Sequence, residues 1–241
     1  MGAKTRLYFS EKIQCDLISH LTKNQSHYVK DVMRLKIGES FSVFNEQGEW
    51  NVVIKNYEKN VVCIKILEKA RNKENEKNIW LAFSPIKSNY FNFMIQKATE
   101  LGITKFIPLI ADRTIVRKIN YERIKKIIIE ASEQSNRISV PEITEIKKLK
   151  DFLNSFPKNG SIIFCDINSK KSDLKNILLK QKQGPICILV GPEGDFSENE
   201  RQFIIDFDQS YSLSLAKNIL RVETAAIAAI TIVNYQLNIS N

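Results

Sequence analysis

The sequence predicts an α/β protein with a small all-β domain ahead of a larger domain built on a parallel sheet. From Arg6 to Leu67 short runs alternate polar and apolar residues, which is typical of strands in a small barrel or meander. The stretch Arg71–Asn78 carries no hydrophobic residue. Beyond it, strand-like and helix-like segments alternate to the C-terminus, the rhythm of a parallel α/β sheet. We therefore expect one domain over residues 1–72 and a second over residues 73–241.

The N-terminal domain is predicted to contain one helix and three paired strands. The helix covers His27–Leu35, with Tyr28, Val32 and Leu35 on one face, and ends before Gly38. The predicted strands are Glu39–Phe44, Glu49–Ile54 and Asn60–Ile66, the first two joined by a hairpin turn at Asn45–Gly48.

The second domain is predicted to hold a series of buried strands. They are Ile79–Phe83, Phe106–Ile110, Ile162–Cys165, Ile186–Val190 and Ser212–Leu215, with a helix over Tyr90–Leu101 closed by Gly102. A further helix starts near Tyr121. Its apolar stripe is Tyr121, Ile124, Ile127, Ile128 and Ala131, and its polar face is Arg123, Lys126, Glu130, Glu133 and Arg137.

Composition narrows the class of protein. The net charge of +9 favours a polyanionic partner, although a lysine-, asparagine- and isoleucine-rich sequence is also what nucleotide bias in a genome produces. No apolar run is long enough to cross a bilayer, so we expect a soluble, cytoplasmic protein without a membrane partner. Cys15, Cys63, Cys165 and Cys187 form no C-x-x-C pair, and only two histidines are present, so we expect reduced cysteines and no metal site.

Two loops carry the functional signal. The strand Ile186–Val190 runs into Gly191-Pro192-Glu193-Gly194, and Ser197 and Glu200 then form a capping box at the start of a helix. This order presents backbone N–H groups at a carboxyl end of the sheet, where open α/β folds bind ligands. An ordinary strand-to-helix turn has the same pattern.

The second loop precedes an alanine-rich helix. Leu215–Thr224 leads into Ala225–Ile230, and Arg221, Glu223 and Thr224 lie where this helix opens. Taken alone, such charges are as consistent with a cap or a structural ion pair as with a catalytic site.

In this order the two loops resemble those of the bacterial 16S rRNA uridine N3-methyltransferase family of the SPOUT superfamily. Further segments share the resemblance: Arg34–Gly38, Lys97–Ile103 and Glu130–Arg137 followed by Val140-Pro141-Glu142. The resemblance implies a PUA-like barrel that binds RNA and a knotted, dimerising SPOUT methyltransferase domain, with the knot at roughly residues 186–236. It also implies S-adenosylmethionine as cofactor, bound by Leu189, Val190, Gly191, Pro192, Glu193, Gly194, Leu215, Ala216, Ile219, Leu220, Arg221 and Thr224.

Two residues depart from the family's pattern. Asp195 and Ala216 stand where the family usually has glycine. A side chain fits there only if φ is negative, or if the residue can adopt the left-handed conformation, as aspartate sometimes does.

The resemblance also suggests roles in catalysis. Arg221 is the candidate for stabilising the uracil anion formed when N3 loses its proton. Glu193, Glu223 or a water could remove that proton, or Glu223 could instead orient Arg221.

For ribosomal RNA the candidate contacts are spread along the chain. They are Arg6, Arg34, Lys87, Lys97, Arg113, Gln134 and Arg137. Six basic residues and one acidic residue lie between Arg113 and Lys126, a pattern typical of an RNA face or of a solvated helix.

Two other interpretations stay open at this point. One is a catalytically silent RNA-binding or ribosome-assembly protein of the same fold, and the other is a methyltransferase for another rRNA or tRNA position. The chain has no G-x-G-x-x-G and no G-x-x-x-x-G-K-[ST] pattern, which argues against Rossmann-type and P-loop enzymes.

Overall fold

The computed structural model of the chain describes residues 5–169, 174–180 and 184–239. The chain divides into two compact units, one formed by residues 1–75 with 132–140 and one by residues 76–131 with 141–241. The predicted division at residue 72 did not anticipate that residues 132–140 group with the N-terminal unit.

The first unit is built on a five-stranded sheet with the order β1-β3-β4-β5-β2. The strands are β1 Arg6–Tyr8, β2 Ile18–His20, β3 Ser40–Asn45, β4 Gly48–Glu58 and β5 Val61–Arg71. β1 and β3 are parallel, and the other pairs are antiparallel, so β3, β4 and β5 form the predicted meander. At the hairpin Asn45 pairs with Gly48, whose φ of +132° and closeness to the Arg71 carbonyl oxygen exclude any side chain.

The helix of this unit differs from the prediction. It begins at Thr22, which forms a capping box with Gln25, continues as α1 Lys23–His27 and then becomes a π-helical turn over Tyr28–Val32. In that turn the N–H of Met33 donates to the Tyr28 carbonyl at 2.9 Å, and such a wider turn shifts the face that each side chain occupies. Val29 is therefore buried, whereas Val32, predicted on the buried face, is 57% exposed.

A charge cluster in the first unit holds residues 132–137. Glu49 is buried between two arginines, with Nη2 of Arg6 at 3.2 Å and Nη2 of Arg71 at 2.7 Å from its Oε2. Arg6 also donates to the carbonyls of Glu133 at 3.1 Å and Arg137 at 2.8 Å. The cluster thus ties residues 132–137 to the first strand of this unit.

The prediction that Arg137 lies on an exposed helix face is wrong. The helix α3, Tyr121–Gln134, ends in a turn in which Asn136 has φ of +63° and the N–H of Arg137 donates to the Ser132 carbonyl at 3.2 Å. This is the Schellman geometry, and it turns the chain away from the helical path. Arg137 is only 8% exposed as a result, and its Nη2 donates to the Ser139 hydroxyl at 3.0 Å.

The second unit contains the predicted parallel sheet, with the order β12-β10-β11-β6-β7-β8 and β9 paired to β7. Its strands are β6 Ile79–Phe83, β7 Lys105–Ile110, β8 Glu142–Ile143, β9 Lys147–Lys148, β10 Ser161–Cys165, β11 Ile186–Val190 and β12 Ser210–Leu213. Every strand pair described in this sheet is parallel. The helices are α2 Ser88–Glu100, α3, α4 Leu149–Asn154, α5 Leu174–Lys180, α6 Glu198–Ile205 and α7 Val222–Ile239.

Several boundaries match the sequence prediction closely. β6 and β11 have the predicted ends, and Gly102, with φ of +93°, follows α2. In α3, Ile124, Ile128 and Ala131 are buried as predicted. β12 lies two residues earlier than predicted, so Leu215 belongs to the loop that follows it.

Within the described residues no helix is long and apolar enough to span a bilayer. The four cysteines are free, and Cys63 and Cys187 are buried in strands, in agreement with their predicted packing role.

The stability of the first unit should depend on the ionisation of Glu49. Burial alone would raise the pKa of Glu49, but hydrogen bonds and charges from Arg6 and Arg71 outweigh burial and lower it. A carboxyl group with a lowered pKa in the folded chain stabilises the fold above its unfolded pKa, about 4.3, and loses this contribution as the pH falls through the folded value. We expect Glu49→Gln to reduce the unfolding free energy at pH 7 by about 1.5–3 kcal/mol, as for hydrogen bonds to charged groups.

Urea unfolding between pH 7 and pH 3 would measure this effect. The difference between Glu49→Gln and the unmodified protein should shrink below about pH 4. Glu68→Gln is the matched control, because Glu68 is an exposed carboxylate on the same sheet that accepts an amide hydrogen bond from Asn51. An equal loss of unfolding free energy in both variants would contradict the stabilising role assigned to Glu49.

Candidate functional site

A cavity of about 630 Å³ opens at the carboxyl edge of the sheet in the second unit. Three neighbouring parallel strands, β10, β11 and β12, end at this edge, so the loops that follow them meet there. The lining consists of Tyr90, Cys165–Ile167, Val190–Asp195, Leu213, Leu215, Ala216, Asn218–Glu223 and Ala225. Residues far apart in sequence thus form one concave site.

The loop after β11 has little room for added atoms. A Cβ on Gly191 would lie 3.0 and 3.1 Å from two ring atoms of Phe196, which is buried in the core. Asp195 adopts φ of +60°, its N–H donates to the Pro192 carbonyl at 2.9 Å, and its Oδ1 accepts the N–H of Phe196 at 2.8 Å. The departure from glycine is therefore accommodated by the left-handed conformation open to aspartate.

Side chains outside the cavity hold the same loop in place. Arg113 donates from Nη1 to the Gly194 carbonyl at 2.9 Å. The predicted capping box of Ser197 and Glu200 is present, and the Glu200 Oε1 also accepts the N–H of Asp112 at 2.8 Å. Arg113, predicted to contact RNA, thus binds the backbone of a loop of the site.

The loop after β12 brings Arg221 to the cavity. The Arg221 carbonyl accepts the N–H of Ala225 at 2.8 Å, so this residue caps the start of α7. Its guanidinium carbon lies 5.3 Å from the ring centroid of Tyr90. The pKa of Arg221 is raised, first by a hydrogen bond with the Tyr90 side chain and then by the charges of Tyr90, Glu223 and Glu193.

Ala216, the second departure from glycine, lines the cavity in the same loop. The described non-glycine residues with positive φ are six, and Ala216 is not one of them. The backbone at this position therefore accepts a side chain without strain.

One acidic residue in the cavity was not predicted from the sequence. Asp166 follows β10 directly and is 5% exposed. Its Oδ2 accepts from Nη2 of Arg201 at 2.8 Å, and its Oδ1 accepts the N–H of Asn168 at 3.0 Å. The signal available was its position just after a buried strand, at the edge where the other loops were already expected to bind.

Cys165 also lines the cavity and was not predicted there. Burial raises the pKa of its thiol to about 12. The thiol is therefore neutral at physiological pH and acts as an apolar part of the wall.

Most of the predicted cofactor residues lie at the cavity. Those that line it are Val190, Gly191, Pro192, Glu193, Gly194, Leu215, Ala216, Ile219, Leu220 and Arg221, together with the predicted catalytic residue Glu223. Leu189 does not line it, because its side chain is buried in a hydrophobic core cluster. Thr224 does not line it either, since it lies exposed on the first turn of α7. The lining residues that were not predicted as site residues are Tyr90, Cys165, Asp166, Ile167, Asp195, Leu213, Asn218, Val222 and Ala225.

The predicted RNA contacts fall in both units. Arg34 and Gln134 of the first unit, and Lys87 and Arg113 of the second, are exposed. Arg6 has only 8% of its side chain exposed and binds Glu49, and Lys97 pairs with Glu100 at 2.8 Å. The six basic residues between positions 113 and 126 are all exposed on the second unit: Arg113, Arg117, Lys118, Arg123, Lys125 and Lys126.

Among the described residues one group has potential metal ligands close together, formed by His20, Glu58 and Cys63 in the first unit. Burial, followed by the charge of Glu58, raises the pKa of Cys63 and so disfavours the thiolate that a metal would need. His20 and Glu58 already pair with each other at 3.3 Å.

Comparison with known proteins places these features in a family. A family model for an RNA methyltransferase domain matches residues 73–234, and one for an RNA methyltransferase PUA domain matches residues 21–67. The ribosomal RNA small subunit methyltransferase E of Rickettsia conorii is 34% identical over 228 residues, 93% of each chain. That of Bacillus subtilis is 28% identical and covers 90% of this chain and 89% of the relative.

A solved structure shares the fold over almost the whole chain. The ribosomal RNA small subunit methyltransferase E of Neisseria gonorrhoeae, bound to S-adenosylmethionine, has 30% identity and a TM-score of 0.84. The match covers 96% of this chain and 97% of that one. The chain therefore belongs to the RNA methyltransferase family that includes the ribosomal RNA small subunit methyltransferases E.

Proposed function

We propose that this protein transfers a methyl group from S-adenosylmethionine to N3 of a uridine in 16S ribosomal RNA. The observation that carries the proposal is the cavity at the carboxyl edge of β10, β11 and β12, closed by the loop of Gly191–Gly194 and with Arg221 in its wall. The names of the relatives, and the cofactor bound to the Neisseria protein, support the reaction and its substrate.

The cavity fits the proposed cofactor. Its volume of about 630 Å³ lies within the range of roughly 300–1,000 Å³ of small-molecule sites. The walls combine apolar side chains, including Val190, Leu213 and Leu215, with the backbone of two loops. This chemistry suits an adenosine group, which needs apolar contacts on its faces and backbone partners at its edges.

Arg221 is the residue best placed to assist the reaction. The bound cofactor would supply an electrophilic methyl group on a positively charged sulfur. The uridine has to be unpaired or flipped out to reach it, and N3 must lose its proton to become nucleophilic, which leaves negative charge over N3, O2 and O4. The permanently charged guanidinium of Arg221 stabilises that anion.

For the removal of the N3 proton the candidates are Glu193, Glu223 and a water. Both glutamates line the cavity and lie near enough to Arg221 to influence its pKa. Glu223 is equally suited to orient the guanidinium of Arg221.

Cytoplasmic ribosomal RNA is the proposed partner, and a second copy of this chain is proposed to complete the assembly. The exposed basic residues between positions 113 and 126 supply positive charge for phosphates. The helix α7 packs Ala226, Ala229, Ile230 and Val233 inside its own unit. It leaves Ile227, Ala228 and Ile232 half-buried and Tyr235 64% exposed, and this outer face suits a homodimer interface. The knot at residues 186–236 stays a prediction from the family resemblance.

A catalytically silent protein of the same fold had only Asp195 and Ala216 in its favour. Asp195 adopts the left-handed conformation and Ala216 has no positive φ, so neither residue distorts its loop. No observation favours that alternative over an active enzyme.

Gly191→Ala should weaken cofactor binding. The added methyl group would lie 3.0 Å from the Phe196 ring, so the ring or the loop has to move. A loop that has moved away from its place in the cavity wall should bind S-adenosylmethionine less tightly, and we expect roughly a tenfold rise in the Kd. Isothermal titration calorimetry measures the Kd. The double variant Gly191→Ala/Phe196→Leu removes the clashing ring atoms and should bind more tightly than Gly191→Ala. Wild-type affinity in Gly191→Ala would exclude this loop from the site.

Arg221→Ala should slow methyl transfer far more than it weakens cofactor binding. The interaction with the uracil anion develops only toward the transition state, and loss of one such donor typically lowers the rate by roughly 10²–10³-fold. Single-turnover transfer to 16S rRNA and calorimetry with S-adenosylmethionine, on one preparation, separate the two effects. Arg221→Lys should recover only part of the rate, because an ammonium lacks the planar fork. Unchanged transfer in Arg221→Ala would leave this residue only its capping role.

RNA affinity should fall as the salt concentration rises, and Arg34 should contribute to the slope of log K against the logarithm of the salt concentration. Arg34 is exposed and has φ of +56°, so Arg34→Gly removes the charge without backbone strain. If Arg34 neutralises one phosphate, its removal should reduce the slope of log K against log salt by about 0.7–0.9. Lys59→Gly is the matched control, being an exposed cation with positive φ in a turn of the same unit. Equal slopes for the two variants would remove Arg34 from the RNA-binding residues.

A further inference from the structure

We infer that Tyr90 is a positioning residue that holds the Arg221 guanidinium in the orientation needed to meet the target base. The inference rests on the proposed function of Arg221. It concerns a residue on α2, a different element from the two loops that carry the family resemblance.

The pair brings together two separate parts of the second unit. Tyr90 lies in the first turn of α2 and Arg221 at the start of α7, and both line the cavity. The guanidinium lies over the phenol ring, 5.3 Å from its centroid. A planar guanidinium stacks on an aromatic face, and the phenol oxygen can accept one of its N–H groups.

Arg221 needs such a partner for its proposed role. It is exposed, and a free arginine side chain loses rotamer entropy when it is fixed in one orientation. It also caps the N-terminus of α7, where the helix dipole disfavours a cation. Glu193 and Glu223 attract the guanidinium by their charge, and the ring of Tyr90 adds a flat face on which the plane of the guanidinium can stack.

Packing does not require a tyrosine at this position. The buried face of α2 consists of Phe91, Met94, Ile95 and Ala98, all at most 5% exposed, whereas Tyr90 is 47% exposed. Phe93 on the same helix is also 47% exposed and contacts a cation, Lys97, at 5.9 Å, but it does not line the cavity. Phe93 is therefore a matched control for the loss of an exposed aromatic ring from α2.

The kinetic test compares single-turnover methyl transfer to 16S rRNA with the Kd for S-adenosylmethionine. Tyr90→Ala should lower the rate roughly tenfold, the equivalent of a partly desolvated cation–π contact, and leave the Kd within about twofold. Tyr90→Phe keeps the ring and should recover most of the rate. Phe93→Ala should leave both quantities unchanged.

A double variant shows whether Tyr90 acts through Arg221. Tyr90→Ala should cause no further loss when Arg221→Ala is already present, because residues that act as a unit are not additive. Additive losses of the transfer rate in the double variant would overturn the inference. So would a loss of rate in Phe93→Ala equal to that in Tyr90→Ala. If the unmodified protein transferred no methyl group, the proposed function would fail; normal transfer with additive losses would remove Tyr90 alone.

An independent readout needs no activity. ¹⁵N relaxation of the Arg221 Nε–H group in the ligand-free protein reports how well the side chain is ordered. We expect an ordered signal in the unmodified protein and in Tyr90→Phe, and a more mobile one in Tyr90→Ala. An order parameter that is the same in all three proteins would overturn the inference.

Discussion

The site depends on the parallel register of three adjacent strands. β10 pairs with β11 on one side and with β12 on the other, and Ile162 lies opposite both Cys187 and Ser210. Because the three strands run in one direction, their carboxyl ends meet at one edge, and the loops that leave them share a cavity. The residues of β11 are all buried. A shift in the register of β11 would therefore move its apolar side chains out of place and displace the Gly191–Gly194 loop at the same time.

The strands bring the loops of the cavity near one another, and contacts from residues outside the cavity hold these loops in place. Arg113 binds the Gly194 carbonyl, and Glu200 joins the cap of α6 to the N–H of Asp112. Asp166 in the wall is held by Arg201 at 2.8 Å. A site that is ordered before its ligands arrive loses less entropy on binding them, so we expect Arg113, Glu200 and Arg201 to favour cofactor binding without lining the cavity.

The sequence pattern predicted those features of the structure that depend on neighbouring residues in the chain. β11 could be placed from its continuous apolar run and the glycine that follows it, and the tolerance of Asp195 could be foreseen because aspartate adopts positive φ. The π-helical turn after α1 could not be predicted, because the sequence pattern was interpreted with the regular α-helical repeat. Tyr90 and Asp166 were missed because their significance comes from partners far away in sequence, Arg221 and Arg201. A strand-and-helix pattern carries no information on such pairs.

Arg221 shows how function can be separated from stability in this site. A cation at the start of α7 opposes the helix dipole, and the residue is exposed, so its side chain buries little apolar surface there. Its neighbours offset the cost: the ring of Tyr90 stacks on it, and Glu223 and Glu193 lie nearby. The start of a helix disfavours this arginine, yet three surrounding side chains stabilise it at the wall of the cavity. Its presence there is best explained by the group that enters the cavity. A base that becomes negatively charged during methyl transfer is the partner that this cation would stabilise most.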